Sequence, residues 1–355
     1  MFLSLNKKSI LLATAIAFSC YGIVQAQSKT QKVKINFEAL VDDEEFECGE
    51  SYEKVGSSKS QVTPTDFRFY VSDVALIDED DNIVPVELQQ DGVWQHENVA
   101  LLDFEDGSDG CDNGTSDTRT KVVGTIPEGD YEGLQFTLGV PKKLNHEDAA
   151  IAPSPLNLTS MWWNWQGGYK FLRVDLEPDE AIANVAETSQ SHTSHSQNGH
   201  SNVQINQQTT TNTSHQGHSQ TTHQTSSQSS IFKNGQGTHH QTSSTQTSHQ
   251  DGSNNSYLIH IGSTGCQDSA QSNLFNCANP NRAKIILENF DYDNNVVIAD
   301  LAELLSQTDL TRNQADTPVG CMSSPDDSDC QEIIHSLGLP FNKTSSSGQT
   351  FFRVD

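Results

Sequence analysis

The chain has 355 residues, of which 47 are Asp or Glu and 20 are Lys or Arg, for a formal net charge of −27 at pH 7. A surface that acidic repels nucleic acid and anionic membrane and favours solubility, cations or basic partners; its plainest reading is a solubilising exterior. Beyond the N-terminal segment no run is long and apolar enough for a membrane helix, so the sequence predicts no membrane span.

Lys7 and Lys8 precede an apolar run over 9–18, and Val24-Gln25-Ala26 offers a small-residue cleavage site. This is the secretory pattern, so 1–26 reads as a signal peptide and Gln27 as the first residue of an exported chain, periplasmic or at the cell surface. Cys20 offers a rival, a lipoprotein site, for which Phe18 is a poor residue.

From Lys32 the sequence alternates, with Val33, Ile35, Phe37 and Ala39 on one face of a half-buried strand. Residues 66–77 repeat the pattern through Phe67, Phe69 and Val71 and meet a polar turn at 78–82. A strand resumes over 83–88, where Pro85 suggests an edge. Strand-like runs follow at 98–104, 122–124, 134–140 and 171–176, with an acidic, Gly-rich stretch at 105–114 around Cys111. Many short strands separated by turn signals predict an all-β fold, an antiparallel sandwich or barrel.

Between 188 and 256 the composition turns to Ser, Thr, Gln, Asn, Gly and His. Such a segment buries too little apolar surface to offset its conformational entropy, so it reads as a disordered insertion in a single domain spanning 27–355. Loop closure grows costly only slowly with length, so the fold tolerates it. The strand 257–261 resumes at once and sets His260 beside Leu258, opposite Tyr257, Ile259 and Ile261. Runs at 283–287 and 296–299 flank the turn 291–295 and read as a hairpin. Asp300-Leu-Ala-Glu303 resembles a capping box opening a short helix, 329–337 reads as a second, and 351–354 as a closing strand.

Six cysteines follow the signal: Cys48, Cys111, Cys266, Cys277, Cys321 and Cys330. An even number in an exported chain reads as three disulfides, for which about 15 connectivities exist. Cys266–Cys277 and Cys321–Cys330 would close short loops, leaving Cys48–Cys111. None has CxxC spacing, which speaks against a thiolate metal or redox motif.

Outside the insertion the exported chain has four histidines, His96, His146, His260 and His335. His96 lies just before a strand, His146 in the loop-like passage 139–171 and His260 inside a strand; three imidazoles converging from separate elements would make a copper or zinc site. Taken singly, each is more simply a surface or hydrogen-bonded histidine, and His335 in the late helix stays so. Trp162, Trp163 and Trp165 crowd the same passage as His146, and read as packing residues, a sugar-stacking platform or residues beside a metal. The insertion adds His192, His195, His200, His215, His218, His223, His239, His240 and His249, a tract suited to loose binding of Cu(II), Zn(II) or Ni(II). Asp291, Asp293 and Asn295 imitate the start of an EF-hand loop, but Val296 stands where Gly is needed, so a turn is expected. No G-x-S-x-G elbow is present, so hydrolase chemistry is unsupported.

Phe46-Glu-Cys-Gly49, DFRFYVS at 66–72, WQHENVALLDF at 94–104, FTLGVP at 136–141, Leu144-Asn-His146, SPLN at 154–157, MWWNWQGGYKF at 161–171, HIGSTGC at 260–266 and Gly320-Cys-Met322 follow one another in order. Together they resemble the MbnP-like family of bacterial periplasmic or surface copper-binding proteins. The resemblance implies a mostly β fold, one copper ion in a histidine site and no turnover by this chain. It also implies a di-haem cytochrome c peroxidase-like partner that oxidises a tryptophan to kynurenine. By motif, His146, His260 and His96 become the ligands. In some relatives the modified tryptophan lies two residues after the LNH histidine; here that residue is Asp148, which leaves Trp165, then Trp163 and Trp162, as candidates. The competing expectation is a β-sandwich adhesin or glycan-binding module using the tryptophans as a platform.

Overall fold

The structure is a computed structural model that describes residues 29–186, 255–268 and 275–355. Residues 1–26, read above as a signal peptide, and the nine histidines of the insertion lie outside the described residues, all of which belong to one compact unit.

Two sheets pack face to face. The six-stranded sheet runs Phe352–Val354, Val296–Asp300, Thr30–Val41, Lys121–Pro127, Glu87–Leu88, with Glu44–Glu45 folding back on Thr30–Val41. Thr30–Val41 buries Val33, Ile35, Phe37, Ala39 and Val41 in strict alternation, as its sequence requires. The eleven-stranded sheet is built on Ser60–Asp78. Gly168–Pro178 pairs with its first half and Tyr131–Leu138 with its second, while Val99–Asp103 lies along Arg68–Ser72. Beyond Gly168–Pro178 come Tyr257–Gly262 and then Gly320–Cys321, the latter parallel.

The core between the sheets is aromatic. Phe37 packs edge-on against Phe136 at 5.7 Å, and Phe136 against Phe352 at 5.1 Å. Each such ring removed from water contributes about 2 kcal/mol. The expected sandwich is therefore the fold; among the described residues there is no closed barrel. The two short helices are Leu301–Leu305, capped by Asp300 Oδ1 accepting from the amides of Ala302 and Glu303, and Cys330–Ser336.

Two expectations need correction. The runs 283–287 and 296–299 do not form a hairpin: Ala283–Glu288 joins Tyr131–Leu138 in the large sheet, and Val296–Asp300 joins Thr30–Val41 in the other. Both bury one face in the same interior, and Phe290, fully buried between them, draws the connection across. The carboxylate of Asp291 holds that arch by accepting from the Asp293 amide and from Asn294 Nδ2, which is the turn chemistry anticipated in place of a calcium loop. The strand expected over 83–88 is likewise split, Ile83–Pro85 pairing in the large sheet and Glu87–Leu88 in the small.

The outer face of the large sheet is not bare. Tyr70, Val99, Leu101, Tyr169 and Phe171 on that face form a second apolar cluster with Val140, Leu144, Ala149, Leu156 and Met161. The passage 139–168 thus lies over the sheet as a cover. It is anchored by Tyr70 Oη donating to the Pro155 carbonyl (2.9 Å) and Tyr169 Oη donating to that of Leu156 (2.6 Å).

Candidate metal-binding face

Paired residues on neighbouring strands point to one side of a sheet, so the register alone locates the sequence candidates. His260 pairs with Arg173, Arg173 with Arg68, and Arg68 with Asp103, one row across the outer face. His96 pairs with Val99, which belongs to the apolar cluster of that face. His146 sits in the cover. All three histidines therefore lie on the same side of the large sheet.

His146 is half-buried, and its ring stacks on Phe275 with centroids 4.2 Å apart. Its Nδ1 lies 3.2 Å from the carbonyl of Trp165. A carbonyl only accepts, so Nδ1 carries the proton and Nε2 keeps a lone pair, the tautomer a metal ligand needs. Nε2 faces Asn145 Nδ2 at 3.3 Å and Cys277 Sγ at 3.6 Å. Burial lowers the His146 pKa, with the Trp165 carbonyl opposing the shift. Asn145 fixes the turn from the other side, its Oδ1 accepting from the Tyr169 amide at 3.1 Å.

His260 is buried, with Nε2 2.7 Å from Asp175 Oδ1. Burial pushes its pKa down to about 4 against the pull of Asp175, so the imidazole is neutral at pH 7. Nε2–H donates to the carboxylate and Nδ1 is the nitrogen left for a metal, the carboxylate–histidine arrangement that supports metal ligands. Asp175 resists burial because His260 and Arg173 hold its carboxyl well below the usual range. His96 lies half-buried in the short strand Gln95–His96. Its neighbour Glu97 is tied to the cover by an ion pair with Lys143 at 2.9 Å.

The three imidazoles share a face but do not meet. Among the described residues, the one group of three potential ligand atoms within 4.8 Å of one another is His146 with Cys266 and Cys277, and those two sulfurs are joined as a disulfide. The other bridges are Cys48–Cys111 and Cys321–Cys330, so all three pairings follow the loop-length reading.

The tryptophans diverge. Trp162 packs beside the second apolar cluster, and its buried Nε1 has no partner. Trp163 lies over Gly262, where a Cβ would stand 2.6 Å from Cζ3. Trp165 is 57% exposed, in the turn after the strand Trp162–Asn164. An extended segment would put Trp163 and Trp165 on one face; the turn at 165–167 separates them.

Sequence reasoning missed the charged row beside His260. Arg68 is fully buried, donating to Asp66 through Nε and Nη2, with Nη1 3.3 Å from Glu105. Arg173 spans Asp66 at 3.1 Å and Asp175 at 2.5 Å. Burial raises Asp66, Glu105 and Asp103, the last to about 8, and lowers Lys170 to about 8. The alternation DFRFY and FLRVD looks like a strand with one wet face. Tyr70 and Phe171 share the parity of Arg68 and Arg173, and they were the signal that this face is covered.

The MbnP family model matches residues 30–235, more than half of the chain. The solved structure of MbnP from Methylosinus trichosporium is similar at 26% identity with a TM-score of 0.65, covering 92% of this chain and 98% of that one. A comparison with curated proteins finds no match. The ordered motifs, the two-sheet fold and the family match agree: this chain belongs to the MbnP family.

Proposed function

We propose that the chain is an exported copper-binding protein that captures, stores or delivers the ion and performs no turnover of its own. The observation that carries the reading is His146: a half-buried neutral imidazole whose Nδ1 proton is committed to the Trp165 carbonyl, leaving Nε2 for a metal. His260, with Nε2 committed to Asp175, offers Nδ1 in the same way. His96 stands on the same side of the sheet. Family resemblance supplies copper as the ion and these three as ligands, with His146 the anchor. Imidazoles release metal when protonated, so affinity falls as pH drops through their range, and the lowered pKa of His146 extends binding downward.

Trp165 is our candidate for oxidation to kynurenine by a di-haem cytochrome c peroxidase-like partner. It is the exposed member of the three, and its carbonyl already holds His146. Co-expression with such a partner should change the intact mass by one carbon lost and one oxygen gained, located at Trp165 by peptide mapping.

The deciding experiment is copper analysis of untagged protein with residues 188–256 deleted, so that the nine insertion histidines contribute nothing. One copper per chain is expected, and His146→Ala should abolish it. His96→Ala and His260→Ala identify which of the two shares the ion. A deleted chain that folds, keeps its disulfides and takes up no copper on addition overturns the reading.

A further inference from the structure

Cys266 and Cys277 face each other across a small two-stranded sheet, Thr264–Asp268 with Phe275–Asn279, that lies apart from both large sheets. We propose that their disulfide is reducible, and that the two thiolates released make, with His146 Nε2, a three-coordinate site for Cu(I).

Four observations support the site. The three ligand atoms already lie within 4.8 Å of one another. The 3.6 Å between His146 Nε2 and Cys277 Sγ is close to the roughly 3.7 Å spanned, in a trigonal site, by a nitrogen about 2.0 Å and a sulfur about 2.3 Å from one ion. Cys266 and Cys277 are both half-buried, whereas the bridge Cys321–Cys330 is fully buried at both ends and half-buried Cys48 is joined to fully buried Cys111, so this is the bridge a reductant can approach from either sulfur. The hairpin also has other ties: Ser263 Oγ donates to the Pro280 carbonyl at 2.8 Å, Asn279 Nδ2 to Thr264 Oγ1 at 3.2 Å, and Lys142 Nζ to Asn276 Oδ1. Breaking the sulfur bond therefore leaves the thiols side by side.

The donor set selects the ion. Two thiolates and one imidazole are soft to borderline donors, which favour Cu(I). Among the described residues no fourth His, Cys, Asp or Glu completes the tetrahedral set that structural zinc requires. The reductant is a dithiol. Its two electrons and two protons pass to the disulfide, the dithiol closes to its own disulfide, and two thiols form on the protein. Cu(I) then binds both sulfurs and His146 Nε2, displacing the two thiol protons. The inference shares His146 with the copper reading, but it concerns the reduced chain and a different ligand set.

The test uses the full chain treated with a limited amount of a small dithiol, which is then removed, and Cu(I) supplied from a Cu(I)-selective chelator in excess. Reduction should expose two titratable thiols, mapped to Cys266 and Cys277. His146 holds one ion at a time, so the reduced chain should carry one chelator-resistant Cu(I) with thiolate-to-copper charge-transfer absorption in the near ultraviolet, a band the oxidised chain lacks. The paired substitution Cys266→Ser and Cys277→Ser should remove that band. His146→Ala should leave the thiol titre unchanged and weaken the thiolate-bound Cu(I) by at least about tenfold, as expected for losing one ligand. The proposal is overturned if the reduced chain shows no such band, if the band survives in the paired variant, or if His146→Ala leaves the affinity unchanged. Copper bound before reduction with no thiolate band after it rejects this inference and leaves the copper reading standing; the band after reduction with no copper bound before it rejects that reading and leaves this site.

Discussion

Burial and the neighbouring Glu105 push the carboxyl of Asp103 up to about 8, and its Oδ1 is buried without a hydrogen-bond partner. In the unfolded chain the same group ionises near 3.9. Between these values the folded protein holds a proton that the unfolded chain has released, so this group's contribution is fully present below about pH 4 and is lost as pH rises towards 8. Asp103→Asn keeps the shape and removes the titration. The variant should gain on the parent by several kcal/mol between pH 4 and pH 8, read from denaturant midpoints across that range; a difference independent of pH would reject the assignment. Little of this was legible beforehand. A charge alternating with Phe67 and Phe69 looks solvated until the cover over Tyr70 and Phe171 is known, and that cover has no secondary-structure period to read. That the three histidines share a face without meeting was equally hidden, because His146 rides on the cover while His96 and His260 are fixed by strand register.

Strands were legible wherever one face is core, because alternation follows directly from burial; Thr30–Val41 and Tyr131–Leu138 are examples. Alternation says nothing about which sheet a strand joins, and so Ala283–Glu288 and Val296–Asp300 looked like partners. The cover tests how one element positions another. Trp163 fits because Gly262 has no Cβ; an added one would meet Cζ3 of the indole at 2.6 Å and the Tyr169 carbonyl at 2.6 Å. Gly262→Ala should therefore unseat Trp163 and loosen the turn that carries the Trp165 carbonyl to His146. A red-shifted tryptophan emission with a lowered melting temperature is expected; an unchanged spectrum would show that the indole does not rest there.

For the whole molecule, the bridge Cys48–Cys111 spans 63 residues and ties the segment after Thr30–Val41 to the acidic loop held by Glu105. Closing a loop of that length in the unfolded chain is worth about 4 kcal/mol in the chain-entropy model. The paired substitution Cys48→Ser and Cys111→Ser should cost about 2–5 kcal/mol in denaturant titrations; an unchanged midpoint would mean that the fold already confines these segments. The cysteine pairing was readable because short loops dominate it. The fold class was readable from turn spacing, whereas the partition into six and eleven strands was not.

The smaller sheet joins Thr30–Val41 to Val296–Asp300 and Phe352–Val354, uniting the start of the described chain with its end. Pairings so distant in sequence are expected to slow folding, because long loops must close before their contacts form. Synthesis of the first three hundred residues cannot complete that sheet, and Phe37 waits for Phe352 to be made before the aromatic core can close. Until then one face of the larger sheet stays open to solvent, and it is in that interval, rather than in the finished fold, that the chain is most exposed to aggregation.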